Sequence, residues 1–385
     1  MKEMSLVLNE LRIASVSDIH LLHRNNKTPF IVSNLDKYLT NDEMLSKVDL
    51  LLFAGDVFDG PVAFSSEDIG VINIWIAKML HKCKRHNVCV RVLEGTPSHD
   101  MNQSKIFTNI NEILFKKESD RVDLKYVKTL SIEYIERFGI NVLYVPDEWN
   151  HDTHDTLLEV KDLLKKNSLS QVDFAVMHGQ FEYQLADVVK AHVKHDSKQY
   201  LDMVKHLIFI GHIHKHSVCD RIYSHGSFDR LAHNEEEAKG YVYAIVSKDG
   251  NYNCQFIENK DSRIYKSVKC VSEDLEVNMK RIVKVAGKLP DDSFIRIVSD
   301  KTNPIMSAQD ELKKRWPLLN WSFSKDKEKD KQELTIKYAE ANKYTPVIIN
   351  RESIRNLLVP KLIEMNLPST AMGRCISHIA DMEKL

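Results

Sequence analysis

The sequence predicts an α/β protein followed by a smaller α+β unit. Three observations carry that reading. Short β-rich runs alternate with helical or loop segments up to about Gly250. The runs are apolar almost throughout, as strands covered on both faces are. After Gly250 the texture changes to shorter strands and amphipathic segments.

Taken in order, the runs are LRIASVSD (11–18), VDLLLFAGD (48–56), VCVRVLEG (88–95), INVLYVP (140–146), VDFAVMHG (172–179) and HLIFIGH (206–212). Between the second and third, Ile69, Ile72, Ile76, Met79 and Leu80 recur at helical spacing and predict a covering helix from Glu67 to Arg85. Beyond Gly250, SFIRIVSD (293–300), NWSFS (320–324) and QELTIKYA (332–339) read as strands. MSAQDELKKRW (306–316) reads as a helix, with Ser307 and Asp310 placed as a capping box. KDKEKDK (325–331) reads as an exposed turn, and two terminal helices, about 350–366 and 368–384, are separated at Pro368. The expected domains are 1–250, a 265–345 α+β unit and a 349–385 helical segment.

Composition excludes several classes. With 43% hydrophobic and 28% charged residues, the 385-residue chain can bury a sizeable core. No apolar stretch is long enough to cross a bilayer, and the first ten residues lack a signal-peptide pattern, so a cytoplasmic protein without a membrane partner is expected. Six scattered cysteines form no C-x-x-C pair and are expected as reduced thiols. A net charge of -1 gives no global signal for nucleic acid, so any such binding must rest on local patches.

The 17 histidines are the informative count. Five of the six runs finish on residues able to hold a metal. Asp18 and His20 follow the first as D-x-H; Asp56 and Asp59 close the second as GDVFD; His99 and Asp100 follow the third in GTPSHD. His178 ends the fifth run, and His212 and His214 the sixth as GHIH. A lone histidine after a strand is more often a hydrogen-bonded structural residue, but joint occurrence at strand ends is not a chance pattern. Carboxyl ends of strands form the ligand-binding edge of α/β sheets, so residues nearly 200 positions apart can converge. Mixed imidazole and carboxylate donors suit Mn, Fe or Zn better than Mg or Ca. Asp56, behind Gly55, is the natural bridge between two cations, and such a pair serves in-line phosphoester hydrolysis.

D-x-H, G-D-x-x-D, a stretched G-x-H-D, H-G and G-H-x-H in this order resemble the calcineurin-type metallophosphoesterase superfamily. YSHGSFDRLAHNEEEAKGYVYAIV (223–246), with its glycine-serine, Arg230, acidic cluster and Lys239-Gly240, narrows the resemblance to SbcD-type nuclease subunits of bacterial and phage break-processing complexes. The resemblance covers roughly residues 11–246. It implies a metallophosphoesterase α/β sandwich, two central sheets flanked by helices, with a small α+β capping domain and C-terminal helices. It also implies two divalent metal ions, Mn2+ first and Mg2+, Fe or Zn as alternatives. Asp18, His20, Asp56 and His214 would hold one; Asp56, His178 and His212 the other. His99 would be the acid facing the leaving oxygen, with Asp100 orienting it and Asp59 supporting from behind.

The implied function is a metal-dependent DNA nuclease, exonuclease on double strands and endonuclease on single strands, in a bacterial cell or phage-infected host. DNA, an SbcC-type coiled-coil ATPase bound through the terminal helices, and a second copy in a homodimer would be its partners. The alternatives are a phosphatase or cyclic-nucleotide phosphodiesterase with the same metals, or a DNA-end-binding scaffold with impaired catalysis. GTPSHD departs from the family's Gly-Asn-His-Asp, whose asparagine is a metal ligand. Ser98 stands before the histidine as the asparagine does and is the expected replacement, while Thr96, after the glycine, is the other available hydroxyl. His23 and His225 are ordinary structural residues or substrate contacts. Lys190, Lys194 and Lys198 recur once per helical turn, either as a phosphate-tracking stripe or as a solvated face.

Overall fold

In the computed structural model, residues 10–63, 65–184, 194–300 and 302–324 are described. The strand at 332–339, the turn at 325–331, the terminal helices and Lys190 lie outside them. Four strands open the chain: β1 (Glu10–Val16), β2 (Leu50–Ala54), β3 (Cys89–Leu93) and β4 (Leu124–Val127). They lie side by side in that order, all parallel. The next six build a second sheet: β5 (Ser131–Ile135), β6 (Ile140–Val145), β7 (Val172–His178), β8 (Val204–Gly211), β9 (Ser217–Cys219) and β10 (Ile222–Ser224). Its order is β5-β6-β7-β8-β10-β9, with β6, β7, β8 and β10 parallel.

The chain then returns to the first sheet. β11 (Gly240–Ser247) pairs antiparallel with β1, and β12 (Tyr252–Glu258) closes the edge. Because β11 runs backwards, its first residues reach the edge where the parallel strands end.

The period-two alternation of the strands explains the layers. Ile13, Leu50, Leu52 and Ala54 of the first sheet meet Val142, Tyr144, Phe174, Val176, Leu207 and Phe209 of the second in one buried core. The intervening residues Ala14, Val16, Leu51 and Phe53 face outward onto helices. The predicted covering helix spans Asp68–His86 and buries Ile72, Trp75, Ile76, Met79, Leu80 and Cys83, a stripe shifted about one turn toward the C-terminus of the expected Ile69–Leu80 set, with Ile69 only half-buried. It ends at left-handed Asn87 with Lys84, Arg85 and His86 in its last turn, the charge that a helix C-terminus favours. The helix Thr153–Lys166, capped by Asp152, covers the second sheet with Leu157, Val160 and Leu164. The fold is an α/β sandwich of two mixed sheets flanked by helices.

A three-stranded parallel sheet follows, made of β13 (Tyr265–Lys269), β14 (Phe294–Val298) and β15 (Asn320–Ser324). With helices Leu275–Ala286 and Gln309–Arg315 it encloses its own core around Ile282, Ile295, Ile297 and Leu312. The expected capping box is not formed. A 3-10 turn, Pro304–Ala308, precedes the helix, Asn303 caps that turn, and Ser307 donates to its own Pro304 carbonyl at 2.7 Å. The lysine stripe is also broken: Lys194 precedes a bridge at His195, and the helix carrying Lys198 starts only at Ser197. No helix among the described residues is long and apolar enough to cross a membrane. Cys83, Cys89, Cys219, Cys254 and Cys270 are free thiols.

Candidate metal centre

The carboxyl ends of β1, β2, β3, β6, β7 and β8 share one edge of the sandwich, and they bring three sets of donors together. Asp18, His20 and His214 form one; His20, Asp56 and His99 a second; Asp56, His178 and His212 a third. Within each set, one donor atom per residue lies within 4.8 Å of the others. Asp56 sits between the outer sets, its Oδ2 3.3 Å from His178 Nε2 and 3.9 Å from His20 Nε2.

The backbone is bent to achieve this. Asp18, His20, Asp56 and His212 all have positive φ, at 51°, 52°, 51° and 97°, a conformation uncommon for residues with a Cβ and concentrated at functional sites. Gly95 explains how the β2 and β3 loops lie against each other, since a Cβ there would fall 2.1 Å from Asp56 N.

Hydrogen bonds fix which nitrogen of each ring faces inward. His178 Nδ1–H donates to the Ala54 carbonyl at 2.7 Å, so Nε2 is the nitrogen turned toward Asp56. His214 Nδ1–H donates to Glu235 Oε1 at 3.0 Å, and its Nε2 meets His20 Nε2 tip to tip at 3.2 Å. A carboxylate or carbonyl behind the ring is the support that metal-ligating histidines use. Glu235 is in turn paired with Lys239, whose buried ammonium also donates to the His214 carbonyl at 2.6 Å. The acidic block that follows β10 thus supports a ligand from behind, and the antiparallel start of β11 delivers it.

The electrostatics are acid-rich. Burial would lift the Asp56 carboxyl, but His178 and then His20 outweigh it and hold it well below the ordinary range. Burial opposes charge on His178, yet Asp56, Asp18 and Asp147 hold its proton affinity well above that of free imidazole. His214 is raised too, its desolvation outweighed by Glu235 and Asp18. The cluster therefore demands positive charge. His178 Nε2 is buried without a hydrogen-bond partner, and the Nε2 atoms of His20 and His214 point at one space; these donors fit divalent cations of the Mn, Fe or Zn kind.

Two expected roles change on inspection of the geometry. Asp100 does not touch the His99 ring. It is fully buried and accepts the backbone N–H of Asp56 (3.1 Å), Phe58 (2.9 Å) and Gly95 (2.7 Å), stapling the β2 and β3 loops. Burial first, then Asp56, pushes its carboxyl up to about 7. Asp59 is the residue beside the ring, 3.1 Å from His99 Nδ1 and 3.3 Å from His20 Nδ1. Ser98 is exposed on the short helix Pro97–Asp100, so it is not the hydroxyl that faces the cluster. Thr96 is: its Oγ1 lies 3.2 Å from Asp56 Oδ2 and 3.0 Å from Asp147 Oδ2.

Asp147, directly after the one predicted run with no metal-capable ending, is not among the expected site residues. The adjoining VPDEW carries the signal only through its position at a strand end. Its carboxyl is held at about 2 because the His212 hydrogen bond, His178 and Thr96 together outweigh burial. His225 is structural, fully buried between the Ile210 carbonyl and Ser15 Oγ. His23 accepts from Asn26 N in its own loop.

No protein-family model matches this chain, and no curated protein matches its sequence. Among solved structures it is similar to TT1561 of Thermus thermophilus, 8% identical over 64% of this chain and 98% of that one, with a TM-score of 0.36. A second solved structure is 12% identical over 65% of this chain and 100% of its own, with a TM-score of 0.34. Likenesses at these scores carry no argument. What the site's geometry supports is a calcineurin-like arrangement of metal donors, suited to a metal-dependent hydrolase.

Proposed function

We infer that this chain is a two-cation phosphodiesterase acting on DNA, a nuclease subunit of the SbcD type. The observation that carries the reading is the joining of the Asp18–His20–His214 and Asp56–His178–His212 sets through Asp56 beside the half-buried His99–Asp59 pair. Divalent cations held there supply Lewis acidity to the phosphoryl group and a more acidic water. The chain's own part is to hold that array rigid and to move a proton. With Nδ1 held by Asp59, His99 offers Nε2 to the leaving oxygen as general acid; its side chain is 36% exposed, open to a substrate phosphate.

A polymer substrate is favoured by a hollow of about 370 Å³ between the β1 loop and the small sheet, bordered by Arg24, His233, Arg296 and Trp321. Guanidinium groups and an aromatic face suit phosphate and base contacts respectively. An SbcC-type ATPase partner and a homodimer belong to the same proposal.

The purified full chain is incubated with Mn2+ and end-labelled linear duplex, with and without EDTA, beside Asp56→Asn. Metal-dependent shortening lost in the variant is expected. Turnover of bis-p-nitrophenyl phosphate with intact DNA, with or without the ATPase partner, would instead assign a phosphodiesterase for small substrates.

A further inference from the structure

We propose that Thr96 and Asp147 complete the second cation position as a pair: Thr96 Oγ1 is a neutral oxygen donor, and Asp147 holds the Thr96 proton while orienting His212. This rests on the two-cation reading above. Asp56, His178 and His212 by themselves offer one carboxylate and two imidazoles, which leaves room for a further oxygen. Thr96 is buried beside them. Its backbone N–H donates to Asp56 Oδ1 at 2.6 Å, which keeps Oδ2 turned to His178 and His20. Its hydroxyl has three polar neighbours, Asp147 Oδ2 at 3.0 Å, Asp56 Oδ2 at 3.2 Å and His212 Nδ1 at 3.4 Å, but only one proton to give.

Given to Asp147, the nearest acceptor, that proton leaves the hydroxyl lone pairs facing the Asp56 side. A hydroxyl whose proton is drawn toward a carboxylate is also a stronger oxygen donor than a free one. Asp147 is built for the task. Its Oδ1 accepts the N–H of Glu148, a residue turned to φ 47°, and its Oδ2 also lies 3.2 Å from His212 Nδ1, which fixes that ring beside Thr96. Asp147 acts through Thr96 and His212 and is a positioning residue.

The test is Mn2+ titration of the full-length chain by calorimetry, paired with low-temperature electron paramagnetic resonance, which separates a spin-coupled ion pair from isolated ions. Wild type is expected to take two ions with a coupled spectrum. Thr96→Val, which keeps the side-chain shape, and Asp147→Asn should retain the first ion and bind the second about 10–100-fold more weakly, with the coupled signal lost. Thr96→Ser, which restores the hydroxyl, should bind both. A coupled pair of unchanged affinity in Thr96→Val and Asp147→Asn overturns the proposal. A wild-type chain that takes up no Mn2+ overturns the two-cation reading itself, and this proposal with it. Near-ultraviolet circular dichroism checks folding; should Asp147→Asn not fold, the contrast between Thr96→Val and Thr96→Ser decides.

Discussion

His99 depends on Asp59 for its orientation, so the two are expected to fall together in catalysis, while loss of His99 leaves metal uptake unchanged and loss of Asp59, which also backs His20, weakens it. His99→Ala should lower kcat about 10²–10⁴-fold, the worth of a positioned general acid, with Asp59→Asn between it and wild type. Steady-state hydrolysis with a parallel Mn2+ titration checks both. Asp100→Asn belongs to another class, because both carboxylate oxygens accept backbone N–H groups and an amide cannot do so on both sides. Its expected cost is about 1–3 kcal/mol in urea unfolding. The sequence exposes the ligands because each follows an apolar run by one to four residues. It cannot rank Thr96 against Ser98, or Asp59 against Asp100, because that choice depends on how Pro97 opens a short helix that turns Ser98 outward. Asp147 stays hidden for a related reason: one carboxylate after a strand has no partner spacing to mark it.

The sandwich is joined at its rim as well as through its core. Arg91 of β3, almost wholly buried, makes a bidentate pair with Glu133 of β5, at 2.9 and 3.1 Å, and Tyr144 of β6 donates to the same carboxylate. Glu133→Ala would strand part of that guanidinium charge and should cost about 3–5 kcal/mol, read from equilibrium denaturation, while Asp123 keeps one contact. β2 is legible in the sequence because burial on both faces writes an unbroken apolar run, and β3 and β8 because theirs are interrupted only by Arg91 and by Lys205-His206. The edge strands β5, β9 and β12 are not. Their residues are half-exposed and mixed in polarity, and only pairing with a neighbour makes them strands.

At the scale of the molecule, a buried acid should leave a mark on stability. Asp229 links the helix Thr28–Tyr38 to the end of β12, with Oδ1 accepting from Asn34 at 2.9 Å and Asn259 at 3.0 Å and Oδ2 buried without a partner. Burial pushes its carboxyl up to about 7. The folded chain thus keeps a proton that the unfolded chain releases near pH 4, so this group's contribution to stability is greatest below about pH 4, declines as pH rises and levels off above about 7. Asp229→Asn keeps the Oδ1 acceptor and should gain on wild type across that window, by up to about 4 kcal/mol at pH 7, in melts taken from pH 4 to 8. Sheet order is not legible from the sequence, because β1 pairs with β11 across more than two hundred residues and no local pattern encodes such a partner. The same wide spacing governs biosynthesis. Asp18 and His20 wait for His214, and Asp56 waits for His178 and His212, so a chain still on the ribosome, or one cut short before β8, carries no finished hydrolytic centre. Activity becomes available only when the last pieces of the sandwich arrive, which makes it a report on completed folding.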